Sequence, residues 1–190
     1  MSDVPMSIAE WEAMPEDEPG ELVDGRLEEE EMPSFVHESI VVALTTLFKN
    51  WLAGRRGFVF GSEAKFALNL TRGRKPDLSV FLPGGRKPPP RGASRVAPDI
   101  LVEVVSPSPR DARRDRVVKL QEYAEFGVRW YWIVEPELRS VQILELGPDK
   151  RYTIAVNASE NVVDVPGCDG LSLDLDALWR EADLLEEEQG

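Results

Sequence analysis

The apolar residues Val36, Ile40, Leu44, Leu47 and Trp51 are spaced by steps of 4, 4, 3 and 4, which holds them on one side of a helix turning every 3.6 residues. This stripe predicts a long helix from about Ser34 to Ala53, with Gly54 as its stop. A shorter helix is expected over Ser7 to Met14, where Ser7 and Glu10 have capping-box spacing. The run Glu21-Leu-Val-Asp-Gly-Arg-Leu-Glu28 reads as a hairpin, because Asp24-Gly25 supplies the two positive-φ positions of a tight turn. Short apolar runs predict strands at about Gly57 to Phe60, Lys65 to Leu70, Leu78 to Leu82 and Ile100 to Val105. The turn Thr71-Arg-Gly-Arg-Lys75 suggests that the second and third of these form an antiparallel hairpin. A second helix is expected from about Ala112 to Phe126, ending at Gly127, with Val117, Leu120 and Ala124 as its buried stripe. Strands at about Arg129 to Glu135, Val141 to Leu146, Tyr152 to Val156 and Val162 to Val165 form a β meander. A short helix from about Asp174 to Glu181 follows, then a frayed acidic tail over 182–190.

This order fits an α/β (α+β) fold with a mixed β-sheet flanked by helices, an N-terminal hairpin and a C-terminal meander. The chain of 190 residues, 42% hydrophobic, has the size of one domain, 1–190. No stretch approaches the roughly 18 apolar residues of a spanning helix. The N-terminus lacks the basic and apolar regions of a signal peptide, so the cytoplasm is the expected address. Cys168 is the sole cysteine, which excludes an internal disulfide or a Cys-rich metal site and reads as an ordinary loop residue.

Net charge is -13, which on its face argues against nucleic acid. The charge is partitioned, however: -11 over residues 1–54, +9 over 55–119 and -11 over 120–190. Segment 83–98, PGGRKPPPRGASRVAP, carries 5 Pro, 3 Gly, 4 basic residues and no acid, so it is an irregular basic loop.

The candidate chemistry lies in this middle segment. Glu103 interrupts the continuous apolar run Ile100 to Val105, and a carboxylate in a central strand needs a partner. Asp77 opens the strand after Pro76. On neighbouring strands the two acids would offer hard oxygen ligands to Mg2+, which takes one or two carboxylates plus phosphate oxygens. On the second helix Asp115, Lys119 and Tyr123 form an i, i+4, i+8 row at the border of the apolar face, from which Lys119 can extend toward the central strand. Two rival sets are weaker. Asp99 and Glu103 are separated by roughly 13 Å along one strand, and Glu63-Ala-Lys65 would need Asp24, which serves the hairpin turn. The Trp130-Tyr131-Trp132 cluster reads as sheet packing.

Several ordered motifs carry a family resemblance: Glu21-Leu-Val-Asp-Gly, Pro33-Ser-Phe-Val-His37, Lys75-Pro-Asp77, Pro98-Asp-Ile-Leu-Val-Glu103-Val-Val-Ser-Pro, Asp115-Arg-Val-Val-Lys119 with Tyr123, and Gly127-Val-Arg-Trp-Tyr-Trp-Ile-Val-Glu-Pro136. Over about residues 20–180 the chain resembles the Uma-two family of restriction endonuclease-like proteins, within the PD-(D/E)XK nuclease superfamily. The resemblance implies a restriction endonuclease-like core in which Pro76-Asp77 matches the PD element and Glu103 the second acid. Val105 stands where the superfamily usually has Lys, and Lys119 matches the relocated base seen in some members. Glu38 would correspond to an additional acid, and His37 matches a position bordering the site.

The expected activity is Mg2+-dependent (or Mn2+-dependent) hydrolysis of DNA phosphodiester bonds, with Asp77 and Glu103 holding the metal and Lys119 completing the catalytic set. Arg86, Lys87, Arg91, Arg95, Arg110, Arg113, Arg114 and Arg116 would grip the DNA backbone without reading sequence. A homodimer is expected by analogy. The alternative is a catalytically degenerate nuclease-fold module that binds nucleic acid or protein without cleavage.

Overall fold

The computed structural model describes residues 5–15, 18, 20–29, 32–106 and 114–187. Ser7 caps helix α1 (Ile8–Ala13) through the expected capping box with Glu10. The α1 side chain Trp11 is fully buried, and its indole N–H donates to the Gly20 carbonyl at 3.1 Å. Strands β1 (Glu21–Val23) and β2 (Arg26–Glu28) form the expected hairpin, with Asp24 and Gly25 at φ 49° and 78°. Helix α2 (Phe35–Trp51) follows, capped by Ser34, with Ile40, Leu44 and Phe48 buried.

Next come β3 (Phe58–Gly61), β4 (Phe66–Ala67), β5 (Gly73–Arg74), β6 (Leu78–Phe81) and β7 (Ile100–Val104). The hairpin expected between 65–70 and 78–82 does not form. The chain turns back after β4, with the Leu68 N–H donating to the Arg72 carbonyl, and β5 takes the place beside β4. Pro76, which has no N–H to donate, lies between β5 and β6, and β6 enters a different sheet. Gly73 is needed in β5, because a Cβ there would stand 2.4 Å from the Trp11 ring.

After β7 a π-helical turn (Arg114–Val118) leads into α3 (Lys119–Phe126). The start expected at Ala112 lies outside the described residues. The wider π turn shifts the apolar stripe, so Val117, expected inside, is 56% exposed while Ala124 stays buried. Strands β8 (Trp130–Glu135), β9 (Ser140–Leu146) and β10 (Tyr152–Ala158) make the meander. The fourth expected strand departs from it: β11 (Val162–Asp164) pairs with β12 (Ser172–Asp174), which was not anticipated. Helix α4 (Leu175–Glu187) extends past Glu181 into the expected tail, since Leu178, Trp179 and Ala182 pack into the core. Residues 188–190 lie outside the described residues.

Two larger sheets result. The small one has the order β2-β1-β5-β4 and the main one β10-β9-β8-β7-β6-β3, in which β7 and β8 form the parallel pair. On one face of the main sheet Ile100, Val102, Val104, Trp130 and Trp132 pack with α2 and α4. On the other, Leu101, Val105 and Tyr131 pack with Tyr123 of α3. The Trp130-Tyr131-Trp132 cluster is therefore split between two cores. Cys168 is also a core residue, and its thiol is pushed up to about 12, chiefly by burial. No helix among the described residues is long and apolar enough to cross a membrane.

Candidate active site

Strand β7 sends Ile100, Val102 and Val104 to the α2 side, which leaves Glu103 with Leu101 and Val105 on the α3 side. There Glu103 finds its partners. The Tyr123 hydroxyl donates to Glu103 Oε1 at 2.5 Å, and Lys119 Nζ lies 3.0 Å from Oε2. Lys119 and Tyr123 are one turn apart on α3, so a single helix face delivers both groups. Lys119 is 1% exposed and Glu103 is 4% exposed. The side chain of Asp115, third in that row, is outside the described set.

A second acid, not foreseen as a site residue, joins this pair. Glu21, at the start of β1, is fully buried, with Oε1 3.9 Å from Lys119 Nζ. Arg74 Nη1 reaches Glu21 Oε2 at 2.7 Å, and the Lys75 backbone N–H donates to Glu21 Oε1 at 2.8 Å. The other edge of the Arg74 guanidinium grips Glu122 through Nε at 2.7 Å and Nη2 at 2.9 Å. Arg72 adds a contact to Glu122 at 3.0 Å. Burial by itself would raise the Glu21 carboxyl, but Lys119, Arg74 and the Lys75 N–H overcome it and hold the group at about 2. Burial, then the charges of Glu103 and Glu21, push the Tyr123 phenol well up, so it stays a donor. Arg72, Arg74 and Lys119 thus face Glu21, Glu103 and Glu122, a charge-balanced cluster joining the small sheet, β7 and α3.

One sequence signal could have found Glu21. The hairpin register sets Glu21 opposite Glu28, and like charges across a strand pair are disfavoured unless one meets a cation.

Asp77 stands elsewhere in this arrangement. Leu78 pairs with Val102 in antiparallel register, which sets Asp77 one step further along, across from Glu103. Its Oδ2 accepts the Val104 N–H at 2.7 Å, and Oδ1 lies 3.2 Å from His37 Nε2 of α2. Glu38 Oε1 is 3.7 Å from His37 Nδ1. Asp77 therefore faces α2 through His37, while Glu103 faces α3 through Lys119 and Tyr123. Among the described residues no group of three or more His, Cys, Asp or Glu side chains converges at metal-binding distance. Beside His37 opens a cavity of about 370 Å3, bordered by Val105, Ser106, Pro136 and Trp179 at the carboxyl ends of the parallel pair β7 and β8. Ligand crevices in parallel sheets commonly form at such strand ends.

The basic residues do not share one face. Arg86 donates to the Pro98 and Gly127 carbonyls and lies 3.6 Å from Asp99, at the beginning of β7, whereas Glu103 is near its end. Arg95 pairs with Glu12 at 2.8 Å, and Arg116 pairs with Glu135 and Gln142. Arg114 is half-buried, Lys87 and Arg91 are exposed, and Arg110 and Arg113 lie outside the described residues. The rival acids are structural. Asp99 accepts the Leu82 N–H, Glu63 pairs with Lys75, Asp24 pairs with Arg72, and Lys65 donates to the carbonyls of Trp11, Met14 and Pro15.

A mixed sheet with an acid on its central strand, met by a lysine from the crossover helix, gives this chain a nuclease-like fold. A solved structure described as a putative nuclease belonging to DUF820, from Anabaena variabilis, shares it: the TM-score is 0.74 over 94% of this chain and 99% of that chain, at 20% identity. Residues 8–176 match Uma2, described as "Putative restriction endonuclease", and the chain belongs to that family. No curated protein matches the chain.

Proposed function

We propose that the protein is a Mg2+-dependent endonuclease that hydrolyses DNA phosphodiester bonds. The observation that carries this reading is the register of β6 and β7, which sets Asp77 across from Glu103 while Lys119 Nζ lies 3.0 Å from the Glu103 carboxylate. Two carboxylates at adjacent positions of neighbouring strands suit the donor set of Mg2+, because each oxygen keeps lone pairs beyond those taken by its present donors and water and phosphate would complete the shell; to share one ion, Asp77 would turn from His37 toward Glu103. Mn2+ fits the same oxygen donors. Bound there, the cation supplies charge neutralisation at the scissile phosphate and an acidified water.

In this reading Asp77 and Glu103 hold the metal. Lys119 presents positive charge to phosphate oxygens as negative charge grows on them. Tyr123 and Glu21 position Glu103 and Lys119, and the Val104 N–H orients Asp77. His37 bridges Asp77 and the cavity of about 370 Å3, where it can meet the departing or attacking oxygen. Arg114 and the exposed Lys87 and Arg91 contribute backbone contacts whose strength falls with salt.

The degenerate-module reading draws on a different observation: both Glu103 oxygens already have partners and the residue is nearly inaccessible. One assay separates the two. Supercoiled plasmid is incubated with the full chain in Mg2+, in Mn2+ and in EDTA. Nicking that requires the metal and disappears in Asp77→Asn and Glu103→Gln supports the nuclease. Retained DNA binding with no cleavage in either metal supports the module. Cleavage unchanged in both variants overturns the site.

A further inference from the structure

The main sheet has two edges, β10 and β3. Strand β10 is interrupted by a bulge between Ile154 and Val156, a common device against unwanted strand pairing. Strand β3 has no such device: Phe58–Gly61 contains no charge, proline or bulge. Phe58 and Phe60 are 41% and 36% exposed, and their rings stack with centroids 6.2 Å apart. Their partners across β6, Phe81 and Ser79, place both rings on the α3 face. Phe60 also borders a cavity of about 650 Å3 lined by Phe66, Phe81, Pro89 and Arg91. A smooth edge with exposed aromatics beside an apolar cavity calls for a covering strand.

The sequence around β3 specifies which strand that is. When the strand is laid antiparallel to itself about Val59, Phe58 meets Phe60 twice and Gly57 meets Gly61 twice, and the flanking turns bring Arg55 of each copy to the end of the strand where Glu63 of the other lies. Parallel pairing in register would set Arg55 on Arg55 and Glu63 on Glu63. Glu63 remains 69% exposed despite its contact with Lys75, and Arg55, whose guanidinium lies over the Trp51 ring, is exposed too. Opposite charges and aromatic pairs facing one another across strands both stabilise antiparallel pairing.

We propose that β3 pairs antiparallel with β3 of a second copy of this chain, so that two six-stranded sheets become one continuous sheet. A two-fold axis perpendicular to the sheet keeps both copies' Phe58 and Phe60 on the same face, next to both apolar cavities.

Sedimentation equilibrium of the full chain, from nanomolar to millimolar concentration, tests this. A monomer–dimer equilibrium is expected, and Phe58→Lys/Phe60→Lys weakens it by about tenfold or more. Arg55→Glu alone sets Glu against Glu63 and weakens it similarly, and Arg55→Glu/Glu63→Arg restores it, since both exchanged pairs regain opposite charge. Far-UV circular dichroism and the urea midpoint establish that each variant is folded, and the Arg55 and Glu63 variants, lying outside the strand, stand in if the aromatic variant unfolds. A monomer throughout, a dimer indifferent to the aromatic variant, or a double exchange that fails to restore association overturns the proposal.

Discussion

Lys119 Nζ lies 3.0 Å from Glu103 Oε2, and both side chains are almost wholly buried, so each charge is compensated by the other. Removing one member strands its partner in a medium that penalises a lone charge. Lys119→Met is expected to lower stability by about 3–5 kcal/mol, whereas Lys119→Met/Glu103→Gln, which removes both charges, recovers more than half of that loss. Urea denaturation of wild type, Lys119→Met, Glu103→Gln and the double variant measures the coupling. A double variant as unstable as the sum of its parts would show that the pair is not energetically linked.

Tyr123 donates to Glu103 Oε1, and its phenol stays protonated. Tyr123→Phe keeps the ring packed against Tyr131 but removes this hydroxyl donor from a buried carboxylate. The expected cost is about 1–3 kcal/mol, read as a lower urea midpoint with an unchanged slope.

Glu21 gives the fold a defined response to acid. Its carboxyl is held at about 2 in the folded protein and titrates near the ordinary value of 4.5 when unfolded. The unfolded chain therefore takes up its proton first as pH falls. The stabilisation, on the order of 3 kcal/mol, is complete above about 4.5 and is lost progressively as pH drops toward 2. Glu21→Gln removes that dependence, so the stability gap between wild type and variant should narrow across this window. Thermal melts of both proteins from neutral pH down to the acid limit provide the measurement, and a constant gap would contradict it.

Gly73→Ala places a methyl group 2.4 Å from the Trp11 ring, a distance no side chain tolerates. Trp11 is fully buried and tied to the Gly20 carbonyl, so it cannot swing aside freely. A loss of about 2 kcal/mol or more is expected, with a change in Trp fluorescence as the small sheet loosens.

Much of the fold could be read directly from residue order. Ser7 with Glu10, Asp24 with Gly25, and the stripe through Ile40 and Leu44 each carry a local cause, and each element forms where that cause lies. The errors came where distant residues decide. Gly73 and Arg74 read as a turn because nothing nearby reveals that Trp11 packs on one and that Glu21 and Glu122 clamp the other. A 3.6-residue count turns Val117 inward, and the π turn breaks that count. The +9 of the middle segment suggested an open basic surface, but Arg72, Arg74 and Lys119 direct their charge to acids of the fold, three of their four acidic partners coming from outside the segment. The meeting of Lys119 with Glu103 was legible because both sit on strongly patterned elements. Glu21 lacked that advantage, and only the opposition of two glutamates across the hairpin hinted at it.

The buried charge cluster has a consequence for the order of synthesis. Its acids and bases come from residues 21, 72, 74, 103, 119 and 122, and the hydroxyl that completes Glu103 comes from Tyr123. A nascent chain halted before α3 holds Arg72 and Arg74 with Glu21 and Glu103, and lacks Lys119, Glu122 and Tyr123. The cluster closes only after Tyr123 has left the ribosome, so a product interrupted before that point carries its buried strand acid without the base and hydroxyl that compensate it.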